Sequence, residues 1–168
     1  MLDGIAEMPY VALQSMLDAG APHGLHYYMK SIDLAGLTEG AIDDIVAHAA
    51  SATSPLTQVH LHHLGGAVAR VPDDATAYAH RRAAFALNVV AAWTDPATTD
   101  RHVAWSRALH DAAAAHSSGG LYVNFLGDEG QDRVRAAYGE QTYARLRVIK
   151  REVDPENVFR FNQNVRST

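Results

Sequence analysis

The sequence predicts an α+β fold, one antiparallel β-sheet with helices packed on one face. Three observations carry that expectation. Segments that alternate apolar and polar residues (25–30 and 57–62) stand beside an unbroken apolar run from Phe85 to Trp93, long enough for a buried strand. Stretches with helical spacing of apolar residues are interleaved with them at irregular intervals. There is no repeating βαβ unit with a Gly-x-Gly-x-x-Gly loop, which argues against a doubly wound parallel sheet. At 168 residues, 48% of them hydrophobic, the chain is sized for one core, and residues 1–168 read as a single domain.

Taken in order, residues 9–17 read as a short helix, with Pro9 suited to a first turn, and Gly20 and Pro22 break the chain after it. Leu25, Tyr27 and Met29 alternate with His26, Tyr28 and Lys30, a strand period with bulk on both faces. A second helix starts at Thr38, an N-capping residue type, with Ile42, Ile45, Val46 and Ala49 on one face. Residues 57–62 alternate as a strand, Gly65-Gly66 mark a bend or bulge, and residues 67–71 read as a further strand before the turn signal Pro72-Asp73-Asp74. Asp95-Pro96 closes the strand that starts at Phe85. The alanine-rich residues 100–116 then form a helix whose stripe is Trp105, Ala108, Leu109 and Ala112.

Residues 117–120 turn the chain into a strand at 121–126. In the last helix Tyr143, Leu146, Ile149 and Val153 share one side. Arg147, Lys150 and Arg151 crowd its final turns, where the helix dipole favours cations, and Asp154-Pro155 stops it. Arg145 and Lys150 are expected on a solvated face with ordinary surface pairs.

Composition narrows the partners. A formal net charge of -5 argues against nucleic acid and anionic membrane surfaces. No cysteine is present, which removes a disulfide framework, thiolate metal sites and a cysteinyl flavin link. The opening residues Met1 to Glu7 are acidic with no long apolar run, so no signal or membrane span is expected, and a soluble cytoplasmic protein is the expectation.

Several residues carry candidate chemistry. Asn88 lies inside the apolar run, where a carboxamide is unfavourable unless hydrogen-bonded; a structural hydrogen bond and a ligand contact both fit. His60 and His62 point to one face at i, i+2, with no third ligand nearby, so they read as lining a pocket or the surface rather than holding a metal. The C-terminal stretches Tyr122-Val123-Asn124-Phe125 and Phe159-Arg160-Phe161-Asn162-Gln163-Asn164 alternate aromatics with carboxamides, which suits a flat ligand with polar edges.

The ordered set Gly65-Gly66-Ala67, Thr76-Ala77-Tyr78-Ala79-His80-Arg81, Trp93, Trp105, Tyr122-Val123-Asn124, Tyr138-Gly139-Glu140, Asp154-Pro155 and Asn157 through Asn164 resembles the berberine-bridge-enzyme-like FAD-linked oxidases, in their substrate domain and terminal module. The resemblance implies removal of a hydride to FAD from a small hydroxylated or secondary-metabolite substrate. It implies Tyr122 as the active-site tyrosine, able to take a substrate proton, and Asn88 as a substrate-facing residue that orients rather than deprotonates. It places Asn124, Asn162 and Asn164 near the cofactor, and Tyr28, His60 and His62 along the substrate cavity.

The domain that carries most of the FAD in that family is not in this sequence. The expectation is therefore a portion of an oxidoreductase that needs a flavin-bearing partner chain. The alternative is a stand-alone, cofactor-free binding protein, isomerase or cyclase reusing the old cavity. A homodimer covering the surface meant for the missing domain is also expected.

Overall fold

β3 (Phe85–Trp93) lies at the centre of a three-stranded antiparallel sheet, between β1 (His26–Leu34) and β2 (Gln58–His63). The computed structural model describes residues 6–16, 18–161 and 163–166 of the chain. The described residues also form six α-helices, α1 (Tyr10–Ser15), α2 (Glu39–Ala50), α3 (Ala67–Arg70), α4 (Thr99–Ala114), α5 (Gln131–Tyr138) and α6 (Glu140–Val153), and three short 3-10 turns. The fold class is the expected one, and among the described residues no helix is long and apolar enough to cross a membrane.

Directly paired residues of neighbouring strands share a face, and alternate residues along a strand change face. Ile32 pairs with Leu87 and Leu34 with Phe85, and this parity carries Val89, Ala91 and Trp93 to the same side. There they meet Trp105, Leu109 and Ala113 of α4 and Ile45 of α2 in the main core. The indole of Trp105 donates to His48 O at 3.1 Å, tying α4 to the end of α2. Thr38 caps α2 as its residue type predicts, its hydroxyl accepting from Ala41 N at 3.2 Å.

The helix faces are rotated from the expected stripes. In α2, Ala41 and Ile45 are buried while Ile42 and Val46 are exposed. In α4 the buried residues are His102, Trp105, Ser106, Leu109 and Ala113, with Ala108 exposed. Small Ala41 and Ala113 fit where helix and sheet approach closely, which periodicity of bulky residues does not register.

Two expected strands are absent. Residues 67–71 contain α3, entered through Gly65 (φ +138°) and Gly66 (φ +52°), backbone conformations open to glycine that turn the chain away from β2. Residues 121–126 form an extended strap broken by a 3-10 turn at Val123–Phe125. Leu121 and Leu126 are buried in a second cluster with Val134, Ala137 and Tyr143 of α5 and α6, so side-chain burial rather than strand pairing fixes this segment.

At the C-terminus, Lys150 and Asp154 form a close i, i+4 ion pair. Lys150 also donates to Phe159 O at 2.8 Å, and Asp154 accepts from Val158 N at 2.7 Å and Phe159 N at 3.1 Å. Arg145 donates to Asp74 O at 2.8 Å. Arg145 is exposed as expected and also pins the loop at Asp74, whereas Lys150, its side chain 12% exposed, is not the solvated residue expected and holds the segment that follows α6. The pinned tail holds Val153, Phe159 and Phe161 74%, 76% and 93% exposed, and α1 buries none of its residues.

His102 shows how a polar residue is accommodated in the core. Its ring stacks on Trp93 at 4.9 Å, and Nδ1 and Nε2 meet Thr53 Oγ1 at 2.7 Å and Thr98 Oγ1 at 3.1 Å. The Thr98 hydroxyl is spent donating to Asp95 O, so it accepts from Nε2–H, and Thr53 donates to Nδ1. The imidazole is satisfied in its neutral form.

Burial lowers the proton affinity of His102 below its ordinary value near 6.5. The unfolded chain then binds the proton more readily, so stability falls as pH drops below about 6.5 and through the lower folded value. Thermal unfolding followed by circular dichroism at pH 7 and pH 5 should show a larger fall for the native chain than for His102→Gln. Equal falls would contradict the neutral-histidine assignment.

Candidate functional site

The sheet face turned away from α4 is polar. Ser31, Asn88 and His60 stand in one row across the three strands, and Asp33, Ala86 and His62 in the next. Asn88, at the middle of the central strand, is 4% exposed, and its carboxamide oxygen has no hydrogen-bond partner. Ser31 does not supply one, because its hydroxyl donates to Leu87 O at 3.1 Å. An orphaned buried acceptor carries a desolvation penalty, and Asn88 shares this one with Asp33 on the same face.

His60 Nε2 lies 2.8 Å from Gln58 Oε1, which puts a proton on Nε2 and leaves Nδ1 an acceptor. Burial, and after it the neighbouring His62, lower the proton affinity of His60, so it stands neutral at pH 7. The His60 and His62 rings meet edge to face at 5.8 Å.

The strap lies over this face. Asn124 Nδ2 donates to the Tyr122 hydroxyl oxygen at 2.7 Å, leaving the phenol O–H to donate elsewhere. Phe125 links the strap to the sheet, its ring 5.2 Å from Tyr122 and 5.5 Å from His62. Tyr78, from the loop between α3 and β3, meets Tyr122 edge to face at 5.8 Å, with the Arg81 guanidinium 5.3 Å from the centre of the Tyr78 ring. Burial first, then the Asp33 carboxylate, push the Tyr78 phenol above the usual range, while Arg81 pulls it down.

Beneath the strap, Asp33 is fully buried and neither carboxyl oxygen has a partner. A Cβ on Gly120 would stand 2.5 Å from the His80 ring and 2.8 Å from Asp33 Oδ2. Glycine is required there for space: the imidazole and the carboxyl already occupy the room.

The expected site residues divide. Asn88, His60, His62, Tyr122 and Asn124 come together on and over the polar face. Asn124 does so through its bond to Tyr122 and not, as expected, as a strand neighbour. Tyr28 belongs to the opposite face, packed against the main core with its hydroxyl accepting from Arg107 Nε at 3.1 Å. Asn164 lines a separate cavity of about 590 Å³ with Asn157, Arg160, Gln163 and the start of α5, and Asn162 lies outside the described residues. Asp33, Tyr78 and His80 were not singled out as site residues by sequence reasoning. An acid within the apolar end of a strand, Ile32-Asp33-Leu34, is the signal that was available.

Known proteins share this architecture. Residues 121–166 match the family described as berberine and berberine like. The chain is 36% identical over 129 residues to the uncharacterized FAD-linked oxidoreductase YgaK of Bacillus subtilis, covering 77% of this chain and 28% of that protein. Among solved structures, CrmK, a flavoenzyme of shunt product recycling in caerulomycin biosynthesis, superposes with a TM-score of 0.76 at 28% identity, covering 95% of this chain and 37% of that one. The 6-hydroxy-D-nicotine oxidase of Arthrobacter nicotinovorans shares the fold, with a TM-score of 0.79 at 22% identity over 100% of this chain and 38% of that one. The chain thus spans less than two-fifths of the length of each.

Gly120→Ala tests the packing under the strap. The added methyl meets a fixed ring and a buried carboxyl, an overpacking expected to destabilise by about 1–3 kcal/mol. In a His80→Ala background the same substitution should be markedly milder. Denaturant unfolding of the four proteins measures the coupling, and strict additivity would contradict the shared space.

Proposed function

We propose that this chain, a member of the berberine-bridge-like FAD-linked oxidases, is the substrate-binding and C-terminal portion of such an oxidoreductase, working with a flavin-bearing polypeptide. One observation carries the reading: the orphaned carboxamide of Asn88 faces the same side of the sheet as His60, under a strap that presents Tyr122 with its oxygen held by Asn124.

The residues present suit a flavin nearby. Asn164 has a carboxamide oxygen without a partner beside a cavity, and the pinned tail displays aromatic surface rather than burying it. Asn162 and Asn164 are the residues of this chain assigned to the cofactor's neighbourhood, with Asn124 acting through Tyr122. FAD, when bound, supplies the acceptor for a hydride. This chain's residues do the rest. Asn88 and His60 orient a substrate hydroxyl by hydrogen bonds. Tyr122, at the rim, first gives its phenol proton to water and then, as phenolate with its oxygen held by Asn124, takes the substrate hydroxyl proton as hydride leaves the carbon. Phe125 and Tyr78 wall the site with apolar surface and exclude water. The substrate class that fits is a small hydroxylated molecule with an apolar body.

Co-expression with a flavin-bearing partner should give a yellow complex absorbing near ~450 nm, the oxidised-flavin band. Tyr122→Phe in that complex should keep the colour and lower turnover by about 10²–10⁴. A complex that never forms, or a Tyr122→Phe enzyme with full turnover, overturns the reading.

Without the flavin-bearing part, the exposed apolar residues of α6 and the tail favour pairing of two copies. Sedimentation of the chain alone should show a dimer that dissociates when Phe159 and Phe161 are replaced by Ser. A clean monomer at all concentrations would remove the dimer from the proposal.

A further inference from the structure

The chemistry proposed above leaves Asp33 unused, although it is fully buried with both carboxyl oxygens unpartnered. Its main chain is busy. Asp33 N donates to Gly120 O at 3.0 Å, and Asp33 O accepts from Ser118 N at 2.9 Å and from the hydroxyls of Ser117 and Ser118 at 3.1 and 3.2 Å. The backbone of this residue therefore suspends the segment that leads, two residues after Gly120, to Tyr122. Its side chain lies under the same segment.

We propose that Asp33 is a positioning residue for Tyr122: with the His80 ring it fills the space beneath Gly120, and its carboxyl sets where residues 119–124 ride above the sheet. Both groups come within 3 Å of the point where a Gly120 Cβ would stand, the imidazole by its Cγ–Nδ1 edge and the carboxyl by Oδ2. The far side of the ring is fixed, with Nε2 at 3.0 Å from Ala136 O in α5. The ring is thus wedged between α5 and the strap, and its Nδ1 edge is turned to the Gly120 side. Leu121, next along the strap, is 1% exposed in the second cluster, so a displacement at Gly120 is passed to Tyr122 rather than absorbed by a slack loop.

The charge behaviour agrees with this geometry. Burial pushes the Asp33 carboxyl up to about 6, and the facing His80 acts in the opposite sense. Below that pH the carboxyl is neutral and tolerates its orphaned position. Above it, a buried charge appears on an oxygen without a partner, and the seat must tighten on its neighbours or open to water. The other titratable groups that face this place are Tyr78 and Arg81 from the loop before β3, Tyr122 from the strap, and His60 and His62 from the same sheet face.

The inference rests on the reading of Tyr122 as the substrate-facing tyrosine only for its catalytic consequence; the seating itself is measured on the chain alone. The probe is the full chain labelled with 3-fluorotyrosine, the Tyr122 resonance assigned by its loss in Tyr122→Phe and followed by ¹⁹F NMR from pH 4.5 to 7.5. The native resonance should move through one midpoint near 6. It should be flat in Asp33→Asn, unchanged in His62→Asn, and shifted to higher pH in His80→Gln, which removes the group that opposes the carboxyl's rise. Should Asp33→Asn fail to fold, the direction of the His80→Gln shift decides. A pH-invariant native resonance, a midpoint surviving in Asp33→Asn, or one abolished in His62→Asn overturns the proposal. Because none of these readings uses flavin or turnover, this proposal can fail beside a yellow active complex, and stand where no such complex forms.

Discussion

β3 is hydrogen-bonded along both edges, and that double pairing is the constraint on which the rest depends. In a strand held on both sides the parity of each side chain is not negotiable. Leu87, Val89, Ala91 and Trp93 go to the helices, while Ala86, Asn88 and Val90 go to the other face. A slip of one residue would bury Asn88 against α4 and turn Leu87 out. The main core therefore enforces the polar row as a by-product of its own packing. The site needs no separate device to place Asn88 between Ser31 and His60.

How far the chain could be read in advance follows the same logic. β3 was legible to the residue because its apolar run is bounded by turn residues, and α2 was legible at its start because Thr38 caps it with its own hydroxyl. Parity was not legible. Tyr28 looked like a pocket residue, yet register assigns it to the core side and leaves Tyr27 on the polar side. The extended stretch 121–126 looked like a strand because Leu121, Val123 and Phe125 alternate with polar or smaller residues. Leu121, Val123 and Leu126 are instead claimed by α5 and α6, whose own apolar content is too sparse to announce that contact, and Phe125 turns to His62 on the sheet. Asn88 could be singled out as a carboxamide in an apolar run, His60 by its spacing from His62, and Tyr122 and Asn124 through the family resemblance of the Tyr-x-Asn stretch. The pairing of Asp33 with His80 could not, since it exists only once β1, the loop before β3 and the strap converge on Gly120.

The polar face is energetically anomalous for a sheet surface. Asn88 and Asp33 bury oxygens without partners, and each unsatisfied group costs about 1–3 kcal/mol relative to one that is paired. Apolar residues of similar volume would remove that cost, as the opposite face of the same strands shows. Groups of this kind are tolerated where a ligand or a proton completes them. At Asn88 the acceptor lies in the row between Ser31 and His60, where the proposed site would complete it. At Asp33 the acceptor faces only packed groups, which fits a proton. The same defect has two resolutions, distinguished by what lies opposite.

At the C-terminal end one polar set, Lys150 with Asp154, is fully satisfied while the apolar side chains beside it stay exposed, and the carboxamide oxygens of Asn157 and Asn164 lack partners. Lys150, Asp154 and the backbone of Val158 and Phe159 form a closed set of charge-assisted bonds, which hold the tail in one path without burying its aromatics. A tail shaped only by its own hydrophobic residues would fold them inward. One shaped by an ion pair can display Phe159 and Phe161 and still be ordered, because the ordering does not come from their burial. Displayed apolar surface on a fixed frame is what a second folded body requires to dock without first reorganising its partner. The ion pair at the end of α6 thus does for the outer surface what β3 does for the polar face, fixing the direction of side chains that the described residues leave exposed.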